Sequence, residues 1–268
     1  MKMCSIASGS SGNCIYVGTD TTHLLVDAGI SCKRILEGLT KIGVDSNTIS
    51  GILVTHEHID HINGLGVISR KLHIPIYATR GTIQGILDCP TKTINNIDQS
   101  LFRIIDIDED FYIGDILIHP FSISHDANEP CAYTFAHKNK KIGIATDLGF
   151  FDDYIISNLQ NLNAILIEAN HDVNMLLVGP YQYHLKQRVL GEKGHLSNES
   201  CGVLLTHILN DKLQYILLGH LSGQNNLPSL AYETIKLEID ASATPYKSSD
   251  FLIEVASRNC ESNIVYIA

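Results

Sequence analysis

The chain has 268 residues, 44% of them hydrophobic and 18% charged, which is the profile of a folded globule with room for a large core. Nineteen Lys and Arg face 29 Asp and Glu, and the net charge of −10 excludes indiscriminate nucleic-acid binding through a broad basic surface. No apolar run approaches the roughly 18 residues needed to cross a bilayer.

The opening Met1-Lys2-Met3-Cys4-Ser5 carries no signal-peptide pattern. The seven Cys include no C-x-x-C pair and read as free thiols in a reducing cytoplasm. Cys4, Cys14 and Cys131 read as small buried apolar residues. Residues 3–7 and 13–18 are expected as short strands joined by the turn-forming Ser8-Gly9-Ser10-Ser11-Gly12-Asn13. That joint serves either as a plain hairpin loop or as N–H groups and hydroxyls facing an anion, with Ser10 and Ser11 as the contacts. A third strand ends on Asp27-Ala28-Gly29, and Ser31 is placed to cap a helix over 32–42.

The apolar run 51–54 reads as a buried strand and leads directly into Thr55-His56-Glu57-His58-Ile59-Asp60-His61. His56, His58 and Asp60 alternate, so an extended backbone would aim all three one way, and a turn brings His61 alongside. Clustered polar groups of this kind are costly without a partner, and the arrangement suits two neighbouring cations better than one. Beyond it, helices are expected over 62–72 and 81–87 with a strand at 75–78. The stretch 91–128 is β-rich, with strands at 101–105, 111–113 and 116–123 and a hairpin turn at Gly114-Asp115. A second hairpin pairs 131–137 with 141–146. Helices follow at 152–160, 180–190, 198–209 and 228–239, interleaved with strands at 164–169 and 215–218, and strands at 251–256 and 264–267 close the chain.

Four donors from one loop cannot complete two metal sites, so the remainder should also lie just past strand ends. Three places fit: His125 after 116–123, Asp147 after 141–146, and His220 after 215–218. His119 competes with His125 but lies within its strand, which favours His125. The order of the elements points to one compact domain over 1–268, with two mixed sheets face to face and helices outside.

With these residues assembled, the chain resembles the metallo-β-lactamase-fold hydrolases. Asp27, His56-x-His58-x-Asp60-His61, His125, Asp147 and His220 stand in that family's order. The opening Ser-Gly-Ser-Ser-Gly-Asn-Cys, Glu168-x-Asn170-His171-Asp172, Gly194-His195-Leu196-Ser197-Asn198 and His220-Leu221-Ser222-x-x-Asn225-Asn226 resemble its YycJ/WalJ-like branch. The resemblance implies an α/β (α+β) fold of four layers, the αββα sandwich. It also implies two divalent ions. His56, His58 and His125 would hold one, Asp60, His61 and His220 the other, and Asp147 both. Asp27 would orient a ligand from behind. Donors without thiolate suit Zn²⁺, Mn²⁺ or Fe²⁺.

A shared water made acidic by both ions would give the attacking hydroxide, with Asp60 orienting it and taking its proton. His195 resembles the extra His that phosphodiesterases of this fold direct at the scissile phosphate. Lys186, Arg188 and Lys193 form a small basic patch beside it, and His171, Ser197 and Asn225 are further candidate substrate contacts. The leading expectation is a phosphodiesterase acting on nucleic acid as a 5′–3′ exonuclease, with no membrane partner. A hydrolase of small esters, thioesters or lactones is the alternative, and a non-enzymatic metal-stabilised scaffold comes third.

Overall fold

The computed structural model describes residues 1–91, 94 and 96–267. Of the β-rich stretch expected over 91–128, residues 92, 93 and 95 lie outside the described residues. The chain divides into two compact units. The first comprises Met1–Ser122, Ala127–Asn139 and Ser257–Ala268; the second comprises Ile123–Asp126 and Lys140–Ala256.

In the first unit, β1 (Lys2–Ala7), β2 (Cys14–Gly18) and β3 (His23–Val26) form an antiparallel run, Met3 opposite Val17 and Tyr16 opposite Leu25. The chain then makes parallel additions: β4 (Ile49–Leu53), β5 (Ile76–Ala78) and β6 (Phe102–Ile104). Parallel pairing requires crossovers, and α1 (Cys32–Lys41) supplies the first. Ser31 caps it by accepting from the Arg34 N–H, and its Ile35 and Leu39 are fully buried in a core shared with Ile6, Leu25 and Ile52.

The second crossover differs from the single helix expected over 62–72. It is split into α2 (Ile59–Ile62) and α3 (Leu65–Leu72), with the Asn63-Gly64 joint between them. The third carries α4 (Arg80–Asp88), capped by Thr79. The unit also holds an antiparallel set, β7 (Phe111–Ile113), β8 (Ile116–Ser122) and β9 (Cys131–His137). Ile113 stands opposite Ile116 across the two-residue turn at Gly114-Asp115.

The second unit is a parallel βα succession: β10 (Lys140–Ala145), α5 (Asp153–Asn158), β11 (Ala164–Glu168), α6 (Val173–Val178), α7 (Tyr183–Leu190), α8 (Asn198–Ile208), β12 (Tyr215–Gly219), α9 (Pro228–Ala241) and β13 (Leu252–Val255). β11 and β12 are buried along their whole length, as parallel strands covered on both faces must be, and this explains the apolar runs 164–167 and 215–218. The short helix α6 was not foreseen; only Leu176 of its six residues is buried, so no apolar period announces it. The chain then returns to the first unit, where β14 (Val265–Tyr266) pairs with β1. Among the described residues no helix is long and apolar enough to cross a membrane.

Candidate metal centre

Parallel strands place whatever follows them on one rim, the usual location of function in such sheets. In the first unit, His56 comes three residues after the end of β4 and is fully buried. His56 and His58 meet edge to face with ring centroids 4.6 Å apart, and His56 and His61 lie 4.1 Å apart. The expected extended run through Asp60 is not what forms. His58 is the N-cap residue of α2, so Asp60 and His61 lie on a helical turn, with an Asp60 oxygen 3.7 Å from His61 Nε2. A carboxylate in the first helical turn is also favoured by the exposed N–H groups there. Glu57 turns away from the imidazoles and accepts from the Asn128 N–H at 2.8 Å.

Asp27 fixes this cluster from beneath. One oxygen accepts from His61 Nδ1 at 2.7 Å, and the carboxylate also accepts from the Thr55 N–H and hydroxyl. With the proton held on Nδ1, the His61 lone pair is on Nε2. Asn13 Nδ2 stands 3.1 Å from that atom. Gly29, just past Asp27, has to be glycine because a Cβ there would overlap the Asp60 carbonyl.

In the second unit the donors come from separate strand ends. Asp147 follows β10, Glu168 ends β11, and His220 follows β12. His125 precedes this series in the short segment Ile123–Asp126, and His195 lies in the loop before α8. Ligand atoms of Asp147, Glu168, His195 and His220 all fall within 4.8 Å of one another. Asp147 Oδ1 is 3.4 Å from His220 Nδ1, 3.6 Å from His195 Nδ1 and 3.7 Å from His125 Nε2. His125 Nδ1 donates to the Gly194 carbonyl at 3.1 Å. His119, by contrast, remains within β8 and donates from Nδ1 to Asp110.

Sequence reasoning gave Glu168 no role, yet it organises the second set. Its Oε1 accepts from His195 Nδ1 at 2.8 Å and from His220 Nδ1 at 2.7 Å. Its Oε2 accepts from the N–H groups of Leu148 and Leu196. Burial alone would favour the neutral acid, but the two imidazoles and these donors hold the carboxyl at about 2. For His195, burial works against the imidazolium, and Glu168 together with Asp147 outweighs it, so the ring's pKa is raised. The signal for Glu168 was present: it closes an apolar strand just as the other donors follow theirs.

Asp27 (φ 62°), Asp147 (φ 60°) and His220 (φ 54°) share a left-handed backbone, which is uncommon for residues with a Cβ and clusters at functional sites. The remaining candidates have varied surroundings. Ser197 caps α8 by accepting from the Ser200 N–H, and Asn225 is buried with its N–H on the Ser222 hydroxyl. His171 is buried, and neither ring nitrogen has a hydrogen-bond partner among the described residues. Burial, with the nearby His195, lowers its pKa to about 4. In the basic patch, Arg188 is forked onto Asp126, Nη2 to Oδ1 3.0 Å, and Lys186 donates to the Leu177 carbonyl, while Lys193 is exposed. Ser10 and Ser11 are exposed in the β1–β2 loop.

Both donor sets suit divalent first-row metal cations. They combine imidazole with carboxylate and lack thiolate, and His61 and His220 each give the Nδ1 proton to a buried carboxylate, leaving Nε2 for a cation. Residues 22–213 match the family described as beta-lactamase superfamily domain. The chain belongs to that superfamily. Within it, the chain is 41% identical over 226 residues to exodeoxyribonuclease YycJ of Bacillus anthracis, covering 84% of each protein. It is likewise 41% identical over 234 residues to exodeoxyribonuclease WalJ of Streptococcus pneumoniae serotype 2, covering 87% of this chain and 86% of that one. The superfamily's fold is evident too in its similarity to the metallo-β-lactamase fold protein YhfI of Bacillus subtilis, with a TM-score of 0.71 at 16% identity over 97% of this chain and 98% of the other.

Proposed function

We propose that this chain is a metal-dependent phosphodiesterase that degrades DNA from a strand end, with residues 1–268 working as one domain. The observation that carries this reading is the 41% identity, over most of both chains, to relatives named exodeoxyribonucleases. The two donor sets support it, each with an imidazole oriented by a buried carboxylate.

In this reading His56, His58 and His125 would hold one divalent ion, Asp60, His61 and His220 would hold the other, and Asp147 would serve both. Zn²⁺, Mn²⁺ and Fe²⁺ all suit the donors. Such ions supply an acidified water and polarise a phosphoryl oxygen. Asp60 orients the attacking water and accepts its proton. His195, held by Glu168 with Nδ1 protonated and its pKa raised, gives a proton to the leaving oxygen. Asp27 and Glu168 keep His61 and His220 in the tautomer that binds a cation.

A cytoplasmic location accords with seven cysteines that are all free, five of them buried. The test is incubation of metal-loaded protein with single- and double-stranded DNA and RNA labelled at either end. Progressive shortening of DNA is the expected result, and the labelled end reports polarity. Absence of cleavage with Zn²⁺, Mn²⁺ and Fe²⁺ alike would refute the reading. His195→Ala separates it from the ester, thioester or lactone alternative, because only the phosphodiester reaction should lose most of its turnover.

A further inference from the structure

We propose that the Ser8–Gly12 loop and Arg258 form a cradle for a backbone phosphate of the bound strand, flanking the linkage that is cut. The inference rests on the nuclease reading and adds a binding residue that the sequence did not suggest. All the groups concerned belong to the first unit.

The loop is bonded directly to the metal-ligand loop. Asn13 accepts the Gly9 N–H on Oδ1 at 2.8 Å, and its own N–H donates to the Asp60 carbonyl at 2.8 Å. Its Nδ2 reaches His61 Nε2 at 3.1 Å. These bonds, with Gly12 N–H to the Gly9 carbonyl, use the N–H groups of Gly9, Gly12 and Asn13. Ser10 and Ser11 are exposed, and among the described residues no group accepts from their N–H groups or hydroxyls. Two adjacent N–H groups and two hydroxyls at a tight glycine-flanked turn are suited to anionic oxygens.

Arg258 lies alongside. A Cβ built on Gly9, whose φ is +145°, would stand 3.0 Å from Arg258 Cγ, 3.3 Å from Nε and 3.4 Å from Cζ. Glycine at position 9 therefore lets the guanidinium lie against the loop backbone. The arginine's own backbone is anchored: Ser8 N–H donates to the Ser257 carbonyl at 3.1 Å, and Arg34 Nη2 donates to the Arg258 carbonyl at 2.8 Å. Arg34 thus holds the main chain from which the Arg258 guanidinium reaches Gly9. An arginine fork with hydroxyl and N–H donors is the combination that positions nucleic-acid phosphates without reading bases.

The test measures binding of a short single-stranded DNA by fluorescence anisotropy with metal chelated, and cleavage with metal restored. Arg258→Gln should raise Kd about ten-fold. It should also flatten the dependence of log Kd on log salt by about 0.7, the contribution of one single-strand phosphate. Lys33→Ala removes an exposed charge on α1 and should change neither quantity. Arg258→Lys, which keeps the stem against Gly9, should recover part of the affinity, and thermal unfolding checks that all variants fold.

Strands carrying one neutral methylphosphonate linkage identify the contact. Wild type should lose affinity at one position, and Arg258→Gln should show no further loss there. Equal losses for Lys33→Ala and Arg258→Gln, or a methylphosphonate penalty that persists in full in Arg258→Gln, would overturn the cradle. So would a wild type that does not bind. A wild type that binds but does not degrade the strand overturns the nuclease reading and leaves the cradle standing.

Discussion

The two units provide their polar residues in different ways. In the first, His56, His58, Asp60 and His61 come from six consecutive positions, and a single carboxylate, Asp27, braces them from the end of the neighbouring strand. In the second, His125, Asp147, His195 and His220 come from places far apart in sequence, and the register of β10, β11 and β12 brings Asp147, Glu168 and His220 together. The first set is built largely by local chain geometry. The second depends on long-range parallel pairing and on one buried acid, Glu168, that binds two imidazoles and two backbone N–H groups. Damage to the second should therefore spread further than damage to the first.

The largest effect is expected at Asp147, which we assign to both ions. Asp147→Asn should lower turnover on DNA by about a thousand-fold or more. Metal analysis should find both ions diminished, whereas His58→Ala should diminish one. Equal metal loss in the two variants would dissolve the contrast. Next come the two bracing acids. Glu168→Ala leaves four donors without their acceptor and should cost about 3–5 kcal/mol in denaturant unfolding, a buried network broken on one side. The gentler pair Glu168→Gln and Asp27→Asn should each weaken metal affinity about 10- to 100-fold, read by competition with a chelating dye.

Gly29→Ala probes the compact set by pushing a methyl against the Asp60 carbonyl; about 1–3 kcal/mol of stability should be lost. The smallest effect is acid sensitivity from His171. Its folded pKa of about 4 lies below the ordinary imidazole value of 6.5, so between these values the fold keeps the ring neutral while the unfolded chain takes up a proton. The stability this contributes is complete above pH 6.5 and is lost as pH falls towards 4. In metal-free protein the loss should be about 1.4 kcal/mol at pH 5.5. His171→Phe should remove that part of the slope in urea titrations at a series of pH values.

The same contrast explains what could be read in advance. The H-x-H-x-D-H run was legible because its donors are contiguous, and His125, Asp147 and His220 because each follows an apolar strand. The alternation reading of His56, His58 and Asp60 missed that His58 caps a helix: local polar spacing of two cannot distinguish an extended run from a cap followed by a turn. Glu168 was overlooked because it lies within its strand's last position rather than beyond it, and its importance comes from partners 27 and 52 residues away. Arg258 gave no local sign at all; its place against Gly9 exists only once the chain has returned from β13 to the first unit. The strands were foreseen more closely than α2 and α6, whose short spans offer too few positions for a helical period to emerge.

The left-handed backbone at Asp27, Asp147 and His220 restricts what can replace them. Asparagine tolerates that conformation where valine, isoleucine or leucine would be strained. A library that varies these three positions freely would mostly report folding failure, whatever its chemistry. Restricting the alphabet there to Asp, Asn, His and Gly would let charge and ligation vary while the main chain stays put.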